Sequence, residues 1–238
     1  MKKFIKKKLK SLLSFVELFF RIKVDNKSPV DVYYENLSQD CYKFFEQDMK
    51  KSSIFIKVED IRKFAIHRAF NNGNKKDNLF LEFGVWKGES INLFGNFLAQ
   101  HKNEIHGFDS FEGLTEDWLT HVYNPIGALS LNRKKPKVLK NVKLVVGKVQ
   151  ETLENFLKNK KDKKIIFAHM DMDTYASTKY ALNCIKPFLQ KGSVILFDEF
   201  YGYPNWQHQE YKAFKEVFDE KEYKYIAFCA SEVAIEIL

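Results

Sequence analysis

The sequence predicts an α/β fold: a mostly parallel sheet covered by helices on both faces, preceded by further helices. Three observations carry this expectation. From residue 78 onward, apolar runs alternate with segments of helical periodicity. Those runs are continuous rather than alternating, which marks strands buried on both faces. A length of 238 residues with 45% hydrophobic content is enough for one full core and some additional helix.

The elements follow in order. Residues 1–24 form a basic amphipathic segment with a net charge of +7, against a formal +8 for the whole chain. Leu12, Phe15, Val16, Phe19 and Phe20 fall at helical spacing. The apolar run is too short to span a bilayer, and no small-residue cleavage site follows it. Two readings stand: a helix docked on the body or on a second copy in a homo-oligomer, or a peripheral helix on an anionic membrane surface. Residues 25–75 read as a helical extension with helices over 31–50 and 54–72. In the second, Asp60, Ile61, Phe64, Ala65 and Ala69 form a stripe, and Asn71-Asn72-Gly73-Asn74 stops it.

Residues 76–238 read as the α/β domain. A strand over 78–85 runs through Gly84, and a helix over 89–99 carries Ile91, Leu93, Phe94, Phe97 and Leu98. A strand over 104–108 ends at Asp109. Residues 110–140, with Trp118, Tyr123, Pro125 and Pro136, form a connection long enough to be a functional loop. Then come a strand over 142–146, a helix over 151–157, and a strand over 164–170 ending in Asp171. A helix over 177–189, a strand over 193–197 ending in Asp198-Glu199, a helix over 206–218 and strands over 223–228 and 233–238 close the chain.

The charge left outside residues 1–24 is about +1. A nearly neutral body argues against nucleic-acid binding. The basic run Arg133, Lys134, Lys135, Lys137, Lys140 and Lys143 reads as a solvated loop, with attraction for a phosphorylated or acidic acceptor as the alternative. Cys41, Cys184 and Cys229 have neither metal spacing nor an even count, so a reducing cytoplasm is the expected compartment.

Ligands of such sheets bind beyond the carboxyl ends of the strands. Four successive strand ends offer Glu82/Gly84, Asp109, Asp171 and Asp198. Clustered acids repel one another unless a cation or donor-rich ligand sits among them. After the first strand, Gly84 permits a sharp turn and Gly88 a close backbone approach. Asp109 is placed to accept hydrogen bonds from ribose hydroxyls. The spacing is Gly-x-x-x-Gly with Glu82 and Glu89 beside it. Those acids would repel a pyrophosphate but suit a cationic sulfonium, so S-adenosylmethionine fits and NAD does not. Asp171, Asp198 and Glu199 offer three carboxylates for a hard cation, Mg²⁺ being the usual one. Asp173 could stay unligated as a base, or cap the following helix.

Four segments then resemble the macrocin O-methyltransferase family, which includes the aminocoumarin sugar methyltransferases. They are Glu82-Phe-Gly-Val-Trp-Lys-Gly88, Gly107-Phe-Asp-Ser-Phe-Glu-Gly-Leu114, Asp171-Met-Asp-Thr-Tyr-Ala-Ser-Thr178 and Asp198-Glu-Phe200. The resemblance covers residues 79–218. It implies a Rossmann-like class I methyltransferase with a seven-stranded sheet ending in an antiparallel hairpin. It also implies Mg²⁺ on Asp171, Asp198 and Glu199, Asp173 as general base, and the cofactor on Glu82, Gly84, Ser90, Asp109 and Ser110. The family commonly has two aspartates where this chain has Asp198-Glu199. The implied reaction is methylation of a hydroxyl on a sugar, glycan or natural-product intermediate. By its length, loop 110–140, with Trp118 and Tyr123, would close over the acceptor, core packing being the other role open to Trp118. A metal-independent methyltransferase and a non-catalytic S-adenosylmethionine-binding partner protein are the alternatives.

Overall fold

The computed structural model describes residues 27–72 and 78–238. The basic segment 1–24 lies outside the described residues. The chain divides into two compact units between residues 44 and 45.

Helix α1 (Pro29–Met49) starts in the first unit. Its start is fixed locally. The Ser28 N–H donates to Asp31 Oδ2 (2.9 Å) and the Asp31 N–H to Ser28 Oγ (3.2 Å), with proline in the first helical position.

The second unit holds the sheet. It has eight strands in the order β1-β9-β10-β8-β7-β2-β3-β6. They are β1 (Ser53–Ile54), β2 (Asn78–Phe83), β3 (Ile105–Asp109), β6 (Val142–Val146), β7 (Lys164–Met170), β8 (Leu189–Phe197), β9 (Tyr223–Cys229) and β10 (Glu232–Ile237). All neighbours pair in parallel except at β10, which is antiparallel to both β8 and β9. The expected sheet and C-terminal hairpin are present. The eighth strand, β1, falls where the sequence predicts the start of a helix; its two residues pair with Ala227 and Phe228 at the sheet edge. The long connection 110–140 carries a small hairpin of its own, β4 (Trp118–Leu119) with β5 (Tyr123–Asn124).

The helices are α2 (Val58–Asn72), α3 (Glu89–Gln100), α4 (Val149–Lys158), α5 (Tyr175–Ile185) and α6 (Glu210–Val217). Strand alternation assigns them to faces. Phe80 of β2 meets Phe70 of α2, whereas Phe83 stacks on Phe108, which meets Phe156 of α4. On the α2–α3 side, Ile61, Ala65, Ile66 and Ala69 pack with Phe94, Phe167 and Leu196, all fully buried. Burying a side chain of that size contributes about 1.5–3 kcal/mol. A second cluster centres on Phe45, within 6.1 Å of the rings of Phe200, Tyr201, Trp206, Tyr211, Tyr225 and Phe228. It anchors the segment that follows β8. Among the described residues no helix is long and apolar enough to cross a membrane.

Candidate active site

The chain winds outward from β2 in both directions, so β2 and its neighbour β7 form the switch point where such sheets open a crevice. The strand ends there are drawn together. Gly84 N–H donates to the Phe108 carbonyl (2.9 Å) and Asp171 N–H to the Phe83 carbonyl (2.8 Å). A Cβ on Gly84 would lie 1.7 Å from the Asp171 carbonyl oxygen, and its φ is +88°. Glycine is therefore needed for close approach as well as for the turn.

A cleft opens at this point, lined by Gly84, Trp86, Asp109, Ser110, Gln150 and Asp173 among others. Asp109 organises its wall. Its Oδ2 accepts the N–H groups of Val85 (2.9 Å) and Trp86 (2.8 Å), and its Oδ1 accepts that of Phe111 (2.6 Å). A carboxylate has about four acceptor positions, so three backbone bonds leave about one open to a donor in the cleft. Ser110 also lines the cleft, while its Oγ accepts the Glu112 N–H (3.1 Å).

Glu82 and Ser90 are not among the residues lining the cleft. Ser90 Oγ donates to Glu82 Oε1 (3.0 Å), and Glu82 Oε2 meets His169 Nδ1 (3.2 Å), all of it buried. Position 82 points to the α2–α3 side of the sheet, where its carboxyl ties β2 to α3 and β7.

The acids converge beside the cleft. Asp173 is buried and has φ +64°. Thr174 N–H donates across it to the Met172 carbonyl (2.6 Å), a tight γ-turn that strains a non-glycine residue. The N-cap of α5 is Thr174, so Asp173 is free of capping duty. Burial and the charges of Glu199 and Asp198 push the Asp173 carboxyl well above the usual range. Burial, Asp198 and Asp173 do the same to Asp171. Burial and Asp198 raise Glu199 to about 7. Glu210, the first residue of α6, is fully buried. Its Oε2 accepts the Glu199 N–H (3.3 Å), and its Oε1 has no hydrogen-bond partner among the described residues.

Two cations answer this charge. Arg62 reaches from α2 to the ends of β8 and β10. Its Nη2 pairs with Asp198 Oδ1 and with Glu232 Oε1 (2.7 Å), and its Nε donates to Glu232 Oε1 (2.7 Å). His169, on β7, lies with Nε2 3.8 Å from Asp198 Oδ1. Burial opposes charge on the imidazole, but Asp198 and Glu82 outweigh it and raise its pKa to about 9. Burial alone would raise Asp198, yet His169, Glu232 and Arg62 hold it well below the usual carboxylate range.

Ligating atoms of His169, Asp171 and Asp198 lie within 4.8 Å of one another. The oxygen donors of that group are Asp171 and Asp198, with Glu199 near enough in charge to shift Asp173 but outside the compact group. Buried carboxyls outnumber buried cations here, and a donor set dominated by carboxylate oxygen fits a hard divalent ion such as Mg²⁺.

The sequence reading missed Arg62, His169, Glu210 and Glu232. Of the long connection, Trp118 is half-buried and packs edge-on against Tyr203 (6.5 Å), and exposed Tyr123 donates to Asp117 (2.9 Å). The loop is fastened to the start of α5: Ala176 N–H donates to Glu116 (2.7 Å), and Thr115 and Ser177 share a hydrogen bond (3.0 Å). The basic run stays outside the cleft, whose lining lysine is Lys148. Arg133 pairs with Glu112 and Lys143 with Glu104 (3.3 Å).

Solved structures share this architecture. CalS11, a calicheamicin methyltransferase, is 19% identical over 89% of this chain and 94% of that one, with a TM-score of 0.60. The apo structure of CalS11, described as a TDP-rhamnose 3′-O-methyltransferase of calicheamicin biosynthesis, is 18% identical over 89% and 96% (TM-score 0.55). The O-methyltransferase NovP is 19% identical over 75% and 78% (TM-score 0.56). At these identities the likeness is one of fold. No curated protein matches the sequence. The family model for the methyltransferase domain matches residues 81–200, from β2 through the acids that follow β8, and the chain belongs to that family.

Proposed function

We propose that this protein is an S-adenosylmethionine-dependent O-methyltransferase. It works with a divalent metal, Mg²⁺, on a hydroxyl of a sugar, glycan or natural-product intermediate. One observation carries the reading: Asp173 both lines the cofactor cleft and belongs to the acid cluster beside it. A base at that junction meets an acceptor hydroxyl where it faces the cofactor. The resemblance to the macrocin O-methyltransferases supports the same assignment, and the sugar acceptor named for CalS11 supports the substrate class.

S-adenosylmethionine would supply an electrophilic methyl group, held along the wall formed by Gly84, Asp109 and Ser110. A divalent ion on Asp171, Asp198 and Glu199 would lower the pKa of an acceptor hydroxyl and orient it. Asp173 takes the hydroxyl proton on its carboxylate; such a base is worth about 10²–10⁴ in rate. Glu210 holds the Glu199 backbone in place. The segment fastened by Thr115 and Glu116 walls off water on the acceptor side.

A second reading, methyl transfer without metal, draws support from Arg62 and His169, which already balance Asp198. One experiment separates the two. The protein is incubated with S-adenosylmethionine and a panel of nucleotide sugars, glycans and catechols, with Mg²⁺ or with EDTA, and products are weighed by mass spectrometry. The proposal expects a gain of one methyl that EDTA abolishes. A gain that survives EDTA transfers the assignment to the metal-free reading.

A further inference from the structure

We propose that Arg62 is a positioning residue that competes with the divalent ion for Asp198 and so sets the metal affinity of the site. The inference rests on the metal-dependent reading above.

Asp198 ends β8 at the centre of the acid cluster. Its Oδ1 is already paired with the Arg62 guanidinium and lies 3.8 Å from His169 Nε2. Arg62 is a tethered cation, carried on α2 and 17% exposed at its side chain. It cannot be washed out, and a guanidinium does not lose its proton. Any ion reaching Asp198 therefore works against a resident positive charge and toward an oxygen whose partner is already chosen.

Arg62 is itself shared. Its fork also holds Glu232, which is 1% exposed at the start of β10. The guanidinium holds Glu232 through Oε1 and Asp198 through Oδ1, so the two acids share one cation. The two acids draw Arg62 in competition. Weakening Glu232 frees Arg62 to bind Asp198 alone, and removing Arg62 releases Asp198 entirely. The two changes thus move metal affinity in opposite directions, which loosening of the fold alone would not do. Among the described residues no arginine or lysine forms an ion pair with Asp171, Asp173 or Glu199. The geometry divides the cluster into a side neutralised by the protein and a side left for the ion.

The test is Mn²⁺ titration followed by electron paramagnetic resonance, on the full chain without substrate. Three proteins are compared: wild type, Arg62→Met and Glu232→Gln. Arg62→Met should bind Mn²⁺ at least tenfold more tightly than wild type, and Glu232→Gln severalfold more weakly. Glu232→Gln keeps a hydrogen-bonding side chain of the same shape, so it decides the matter if Arg62→Met does not fold. Binding by Arg62→Met where wild type shows none also supports the proposal. Wild-type binding that neither variant changes, or that Arg62→Met weakens, overturns the proposal and leaves the metal reading intact. No Mn²⁺ binding by any of the three overturns both.

Discussion

Asp173 is held at φ +64° by a turn too tight for most side chains, and it is buried among acids that raise its proton affinity. Such strain persists only where the surrounding structure enforces it. Asp173→Asn keeps the shape and removes the base. It should lower turnover by about 10²–10⁴. Its melting temperature should be no lower than wild type, since a repelling charge is gone. Near-full activity would mean another group takes the proton. Gly84 is the other residue whose identity is dictated. Ala at 84 would put a methyl 1.7 Å from the Asp171 carbonyl oxygen, with φ +88° besides. Overpacking of this kind costs about 1–3 kcal/mol or more. In a chain of this length that lowers the melting temperature by about 2–4 °C per kcal/mol. Calorimetry of Gly84→Ala showing no change would mean that the strand ends are not so closely drawn.

Elements were legible in the sequence where burial made them so. The strands β2, β7 and β8 carry unbroken apolar stretches (79–81, 165–168 and 194–197) because helices cover both faces, and the acids at their ends stand out against that background. β1 was not legible, because two residues paired at an edge have no periodicity. The missed site residues share one signal. Arg62 sits on the same helical face as Ile66 and Ala69, and Glu210 on that of Ala213 and Phe214. Glu82 and His169 interrupt apolar strands. A charged residue on a buried face carries an uncompensated desolvation cost until a partner is found, and the partners lie far off in sequence: Asp198 is 136 residues from Arg62. Spacing alone could not pair them. The α2–β10 contact offers a test at this scale. Burial would raise Glu236, but Arg68, Lys224 and Asn72 hold it below the ordinary carboxylate range. A lowered folded-state pKa adds stability above the unfolded value, lost as pH falls through the folded one. Wild type should therefore exceed Glu236→Gln in unfolding free energy at neutral pH, and the gap should close in acid. A gap that is constant with pH would remove the ion-pair explanation.

The whole molecule places an open cleft and an acid cluster at the carboxyl ends of one sheet's strands, joined at Asp173. That arrangement makes two ligands act on stability as well as on rate. A ligand that binds only the folded chain stabilises it by about 2.7 kcal/mol at a hundredfold excess over its dissociation constant. Mg²⁺ should raise the melting temperature of wild type and leave Asp171→Asn unchanged; equal shifts in both would place the ion elsewhere. Every step of the proposed chemistry depends on what the cleft holds. Isothermal titration of the purified protein with S-adenosylhomocysteine and, separately, with NAD tests it most directly. Saturable one-to-one binding of S-adenosylhomocysteine, weakened by Asp109→Ala, with no heat from NAD, is the predicted result; binding of NAD with none of S-adenosylhomocysteine would contradict it.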